Sequence, residues 1–138
     1  MLERAAVVLA VLVTVVAAAL LVRFVATQRA AAATGKLVPS ALRARLPSLG
    51  PTVVYLYGPR CAPCVHQRRV LDQLASEGVA SVLPLDATKE REISDSLGIS
   101  TVPSTVLVDP EGRVQHVNLG YRSREKLEAQ LAGVQGTS

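Results

Sequence analysis

The chain has 138 residues, two cysteines, three tyrosines, one phenylalanine, no tryptophan and a formal net charge of +4. That length holds one domain of ordinary size plus an extra segment. Its basic residues are scattered and lack interleaved aromatics, so there is neither a basic stripe nor a stacking platform, and nucleic acid is excluded as a partner.

The extra segment comes first. From Ala5 to Val22 every residue except Thr14 is apolar, and after Arg23 the run continues through Phe24, Val25 and Ala26. Roughly 20 apolar residues rising about 1.5 Å each cross a hydrocarbon core about 30 Å thick, so residues 1–26 read as a single-pass anchor meeting lipid through residues 5–26. A cleaved signal is the main rival, with Arg4 as its basic start and Ala31-Ala32-Ala33 as its cleavage site. Such signals carry only about 7 to 15 apolar residues, and here Arg23 and Arg29 intrude before that site. A buried helix of a soluble protein is the third alternative. The basic residues Arg23, Arg29, Lys36, Arg43 and Arg45 suit anionic headgroups. Arg4 on one side of the span against Arg23, Arg29 and Lys36 on the other favours a cytoplasmic domain.

Residues 27–37 are small, polar and alanine-rich, a composition that supports a tether to a folded domain over 38–134. Pro39 and Ser40 open a short helix through Leu46, closed by Pro47 and Gly50. Thr52-Val53-Val54-Tyr55-Leu56-Tyr57 reads as a buried strand ending at Gly58-Pro59. A helix is expected from Cys61 to about Ser76, packing through Val65, Val70, Leu71 and Leu74 and ended by Gly78. Ala80 to Leu85 is the second strand, and Asp86 is expected to cap a helix through Lys89 to Leu97. Thr105 to Val108 and Arg113 to Asn118 form a hairpin across the turn Asp109-Pro110-Glu111-Gly112. A last helix starts at Ser123 and buries Leu127 and Leu131, before a frayed tail over 135–138. This order predicts an α/β sheet with helices on both faces.

Both cysteines lie in Cys61-Ala62-Pro63-Cys64, directly after the first strand. Two thiols three apart can open and close a small disulfide ring, whereas zinc normally needs a second pair of ligands at matching spacing. His66 does not supply one, since at about 100° per residue it points roughly 140° from Cys61 and 200° from Cys64. It reads as a surface residue, as does His116, so no metal and no cofactor are expected. The attacking species in disulfide exchange is a thiolate, and the helix start beside Cys61 favours the charged form. Arg60 either adds a second positive charge or is simply solvated. Cys64, one turn on, can resolve the mixed disulfide that Cys61 makes, and Pro63 starts the helix without needing an N–H partner.

About forty residues later the chain reads Gly98-Ile99-Ser100-Thr101-Val102-Pro103, immediately before a strand. Strand, Cys-x-Pro-Cys at a helix start, and this Thr-Val-Pro before a hairpin together resemble the thioredoxin fold, a central mixed sheet flanked by helices, over residues 51–131. The resemblance implies that Pro103 is cis, packs against the disulfide and exposes the Val102 backbone to a substrate strand, with Thr101 beside it. The alternative is a proline marking a strand edge. Against the family pattern, Arg60 stands where tryptophan is common before the first cysteine, and Tyr55 where a buried aspartate is usual. Val82 and Arg69 stand where that acid's lysine partner and a helix-kinking proline occur. The missing acid leaves no acceptor for the Cys64 proton, so resolution is expected to be slower or to use water.

The resemblance implies a membrane-tethered thiol:disulfide oxidoreductase acting on protein disulfides, fed by a membrane or protein electron donor. Disulfide pairs range from about −270 mV for reductants to about −120 mV for oxidants, a gap of roughly 7 kcal/mol for two electrons, and the Ala-Pro dipeptide is nearer the reducing type. Anchored relatives place the catalytic domain outside the cytoplasm, against the charge count. A thioredoxin-fold binding or scaffold module with a non-catalytic disulfide is the second reading, supported by the lost acid and lysine. A metal chaperone is the third.

Overall fold

The computed structural model describes residues 1–47 and 50–135. Residues 48–49, within the expected close of the short helix, and the expected tail at 136–138 lie outside these residues.

The apolar run forms one helix, α1, Leu2–Ala33, of 32 residues. Its side chains from Leu2 to Phe24 are largely exposed, and the helix is long and apolar enough to cross a membrane. Residues 27–33, read from composition as the start of the tether, are helical too. Alanine is the strongest helix former, so an alanine-rich stretch following a helix extends it. Ala30 and Ala33 are buried, at 4% and 6% exposure, so this end of α1 is packed rather than free. A short helix α2, Ser40–Arg43, follows, and Leu42 is fully buried.

Four strands make one mixed sheet in the order β2-β1-β3-β4, with β1 Thr52–Tyr57, β2 Ser81–Asp86, β3 Ser104–Val108 and β4 Val114–Leu119. β1 and β2 are parallel and joined by the helix α3, Ala62–Ser76, while β1–β3 and β3–β4 are antiparallel. Side chains alternate across a strand. Val54 and Leu56 of β1 and Val106 and Val108 of β3 therefore face Leu42, Ile93 and Leu97 on one side. Val53 and Tyr55 of β1 and Leu107 of β3 face Leu71, Leu74, Leu127 and Leu131 on the other. The first layer is built from α2 and the short helix α4, Arg91–Ser96; the second from α3 and α5, Arg124–Gln135. Helices thus cover both faces, as the element order predicts.

Each edge strand has its own protection. Pro84, which has no N–H to donate, sits exposed in β2 at one edge. At the other edge Leu37 bridges Arg113, and the end of α1 packs on β4. Asn118 of β4 is buried with its amide satisfied: it donates to Thr105 Oγ1 at 3.1 Å and to Gln130 Oε1 at 2.8 Å.

Two local expectations are corrected. Val65 does not pack inward but is 53% exposed, and Gln67 takes an interior position on α3 instead. Asp86 does not cap α4; its carboxylate accepts from the Thr88 N–H and hydroxyl, forming a tight turn that delays the helix to Arg91. Those two hydrogen bonds also hold the Asp86 carboxyl below its usual pKa range. At α5, Arg124 engages Glu77 and Glu128, a pairing that ties the helix start to the end of α3.

Candidate active site

The disulfide sits where β1 hands the chain to α3. Gly58 ends the strand segment, and Arg60 adopts φ 55°, in the left-handed region that non-glycine residues seldom occupy. That turn brings Cys61 to the N-cap of α3, with Ala62 and Pro63 in its first turn. Early backbone N–H groups of a helix have no intrahelical acceptor, so the sulfur of Cys61 lies at the positive end of the helix. Cys61 and Cys64 form a disulfide with Cα atoms 5.3 Å apart. Cys64 is only 7% exposed, whereas Cys61 is partly open to solvent.

A second loop completes the site from β3. The Val102–Pro103 peptide bond is cis, as the resemblance implies. Pro103 is buried, and Val102 packs with Cys61 against the core on the α3 side. A Cβ on Gly58 would lie 3.1 Å from Cγ2 of Val102, so the absence of a side chain there lets the two loops meet. The Ser104 hydroxyl donates to the Thr101 carbonyl at 2.7 Å and steadies the loop. The fold therefore gathers Cys61, Cys64 and Val102 in one packed cluster, with the buried Pro103 next in the chain after Val102. Thr101 is exposed and lines both the groove beside α1 and a shallow hollow shared with Val102, and Pro63 is exposed on the helix surface.

Beneath the disulfide lies a hollow whose walls include Tyr55, Tyr57, Arg60, Cys61, Cys64 and Arg68. The Tyr55 hydroxyl, six residues before Cys61 in the chain, donates to the Cys64 carbonyl at 2.7 Å. Burial pushes its pKa above the ordinary tyrosine value, with the nearby Arg68 charge acting in the opposite direction. Tyr55 thus meets the active-site helix as a hydrogen-bond donor to the backbone, not as a carboxylate. Its ring lies 5.7 Å from that of Tyr57. Among the described residues no three His, Cys, Asp or Glu side chains gather in a form that could hold a metal ion.

Gln67 is the residue that sequence reading missed. Fully buried on α3, it accepts from the Arg122 N–H at 2.7 Å and donates to the Arg122 carbonyl at 3.2 Å, clamping the segment between β4 and α5 to the active-site helix. A polar residue on a helix gives no apolar period to read; only the distant backbone reveals its place. Replacing Gln67 with leucine should cost about 1 to 3 kcal/mol, because both Arg122 backbone groups lose their partner. Denaturant midpoints of the two proteins check this, and an unchanged midpoint would show the clamp to be dispensable.

Comparison with known proteins agrees with this geometry. The thioredoxin family, described simply as "Thioredoxin", matches residues 35–133. The chain belongs to the thioredoxin family. A thioredoxin from Alicyclobacillus acidocaldarius is 31% identical over 86 residues, covering 61% of this chain and 81% of the relative. One from Listeria monocytogenes is 31% identical over 70 residues, covering 49% and 67%. Among solved structures, the thioredoxin pre-protein of Schistosoma mansoni superposes with a TM-score of 0.61 at 21% identity, covering 69% of this chain and 90% of that one. A thioredoxin variant from Halobacterium salinarum gives 0.58 at 21%, covering 62% and 74%; both establish the shared fold. Family membership together with the Cys61–Cys64 disulfide makes this thioredoxin-family protein a thiol:disulfide oxidoreductase, with protein disulfides as its substrate class.

Proposed function

We propose that this thioredoxin-family protein is a membrane-tethered reductase of protein disulfides, with Cys61 as the nucleophile and Cys64 as the resolving thiol. The observation that carries the assignment of roles is the unequal exposure of the two sulfurs' residues. Cys61 is reachable at a helix N-cap, and Cys64 is buried one turn on. In the reduced state the Cys61 thiolate attacks a substrate disulfide, forming a mixed disulfide and releasing one substrate thiolate, which takes a proton. Cys64 then attacks the Cys61 sulfur, and the second substrate thiolate leaves. Two electrons pass from the protein to the substrate. Val102 packs against the same cluster as Cys61, which supports a reading in which an extended substrate segment lies along the Val102 backbone while Arg60 flanks the entrance.

Tethering is supported by α1. Residues 5–26 alone, at about 1.5 Å per residue, reach roughly 33 Å, enough for a hydrocarbon core. Because α1 continues to Ala33 and packs on the domain, the active site is carried close to the membrane surface rather than on a long leash. Such a position favours substrates at or in the membrane, and a donor within it that returns electrons to the disulfide. We place the domain outside the cytoplasm.

Insulin reduction by the full chain in detergent, with dithiothreitol as donor, tests the activity against a variant in which both cysteines are serine. Equal rates reject the enzyme reading and leave a binding module. A membrane-impermeant maleimide applied to intact, reduced cells tests the side: labelling of Cys61 supports the outer face, and protection reverses it.

A further inference from the structure

The hollow under the disulfide raises a question of chemistry: without a buried carboxylate, something else must make Cys64 reactive. Arg68 follows Cys64 by four residues on α3. Residues spaced this way are neighbours on one helix face, and side chains lean toward the helix N-terminus, which directs Arg68 back over the turn holding Cys64. The two line the same hollow. Arg68 is also near enough to act on the Tyr55 hydroxyl, the group in contact with the Cys64 carbonyl. The ion pairs among the described residues engage Arg45 and Arg124, leaving the Arg68 guanidinium uncommitted to a carboxylate.

We propose that Arg68 is the positioning residue for resolution: its guanidinium holds Cys64 as the thiolate, so that the step needs no proton acceptor in the protein. The Cys64 thiol gives its proton to water. Its thiolate attacks the Cys61 sulfur, the Cys61–Cys64 disulfide forms as the mixed disulfide breaks, and the substrate thiolate leaves and is protonated by solvent. This rests on the assignment of Cys64 as the resolving thiol.

The charged and titratable surroundings are compatible with that role. β1 supplies the neutral phenols Tyr55 and Tyr57, the loop before α3 supplies Arg60, and α3 itself carries Asp72 one turn beyond Arg68. Asp72 does not line the hollow, and its action on the Tyr55 hydroxyl is opposite to that of Arg68 and smaller. The loop at Thr101, Val102 and Pro103 brings no charge, and the facing parts of β3 and α5 are leucines. Positive charge therefore predominates around Cys64. Because Arg68 is exposed, its influence should weaken as salt rises.

The test uses the full chain in detergent with Cys61→Ser, which leaves Cys64 as the only thiol. The pH dependence of its alkylation by iodoacetamide, read by mass, gives the Cys64 pKa. Arg68→Met keeps most of the apolar stem and should raise that pKa by about one unit, while Arg68→Lys should stay near the parent. Salt at about 1 M should erase the difference between Arg68 and Met. With both native cysteines present, Arg68→Met should slow release of the mixed disulfide up to roughly tenfold near neutral pH, and Arg68→Lys should restore it. Equal titration of the Met and Lys variants would overturn the inference even where insulin reduction persists. Failure of the unmutated chain to reduce insulin would instead reject the enzyme reading, while the Cys64 titration still decides what Arg68 does.

Discussion

Cys61→Ser should reduce insulin reduction to the uncatalysed rate, a loss on the order of 10³-fold or more, whereas Cys64→Ser should stop the reaction one step later. The difference follows from access. Cys64, only 7% exposed within the first turn of α3, cannot present its sulfur to a second protein when Cys61 is gone. Cys61 remains at the helix N-cap when Cys64 is gone, so it can still attack and become trapped. Non-reducing electrophoresis should then show a stable adduct with substrate in Cys64→Ser and none in Cys61→Ser. Adducts in the reverse pattern would exchange the two roles. Tryptophan fluorescence cannot follow the reaction because the chain has none, so mass shifts after alkylation are the suitable readout.

The trapped adduct also separates catalysis from a scaffold role. A structural disulfide would leave Cys64→Ser destabilised, with no substrate attached. A turning-over pair yields the adduct because the first exchange is complete before Cys64 is required. Reduction by the parent chain and trapping by the variant together fix the order of the two sulfurs.

Much of the site could be read from the residues because its parts have strong local signatures. The run from Thr52 to Tyr57 is β-branched and aromatic and becomes the central strand β1, its first five residues at most 2% exposed. Cys-x-Pro-Cys after that strand fixes the helix start, and Thr-Val-Pro before another marks the facing loop. What could not be read depends on contacts distant in sequence. Val65 fits an apolar helix position but lies on the open side of α3, while Gln67 is buried because Arg122, 55 residues away, satisfies its amide. Tyr55 could be recognised as replacing an acid, yet its bond to the Cys64 carbonyl requires the packed sheet and helix. Asp86 has the chemistry of a helix cap, but the nearer Thr88 wins its carboxylate.

The alanine-rich segment after the apolar run illustrates the same limit and leads to the second large effect. Composition cannot distinguish a loose tether from a helix whose small side chains let another backbone approach. Gly98, at the end of the α4 segment, decides the matter locally: a Cβ there would lie 2.5 Å from the Arg29 carbonyl oxygen and 2.8 Å from the Ala30 nitrogen. Both opposing atoms are backbone, so neither can swing aside. Gly98 also has φ 71°, which adds the left-handed penalty of roughly 1 to 2 kcal/mol for a residue with a side chain. Gly98→Ala should therefore displace the end of α1 from the domain. Gly78→Ala is the matched control, since Gly78 has φ 70° but nothing within 4 Å of the added carbon. Its cost should be the conformational penalty alone. Limited proteolysis of the full chain should cut the Gly98→Ala protein around residues 27–36 at least about tenfold faster than the Gly78→Ala protein, at equal occupancy of the folded domain. Equal cleavage would mean that the approach of α1 to Gly98 does not hold the domain. Faster cleavage with insulin reduction retained would show that docking of α1 is not needed for the thiol chemistry itself.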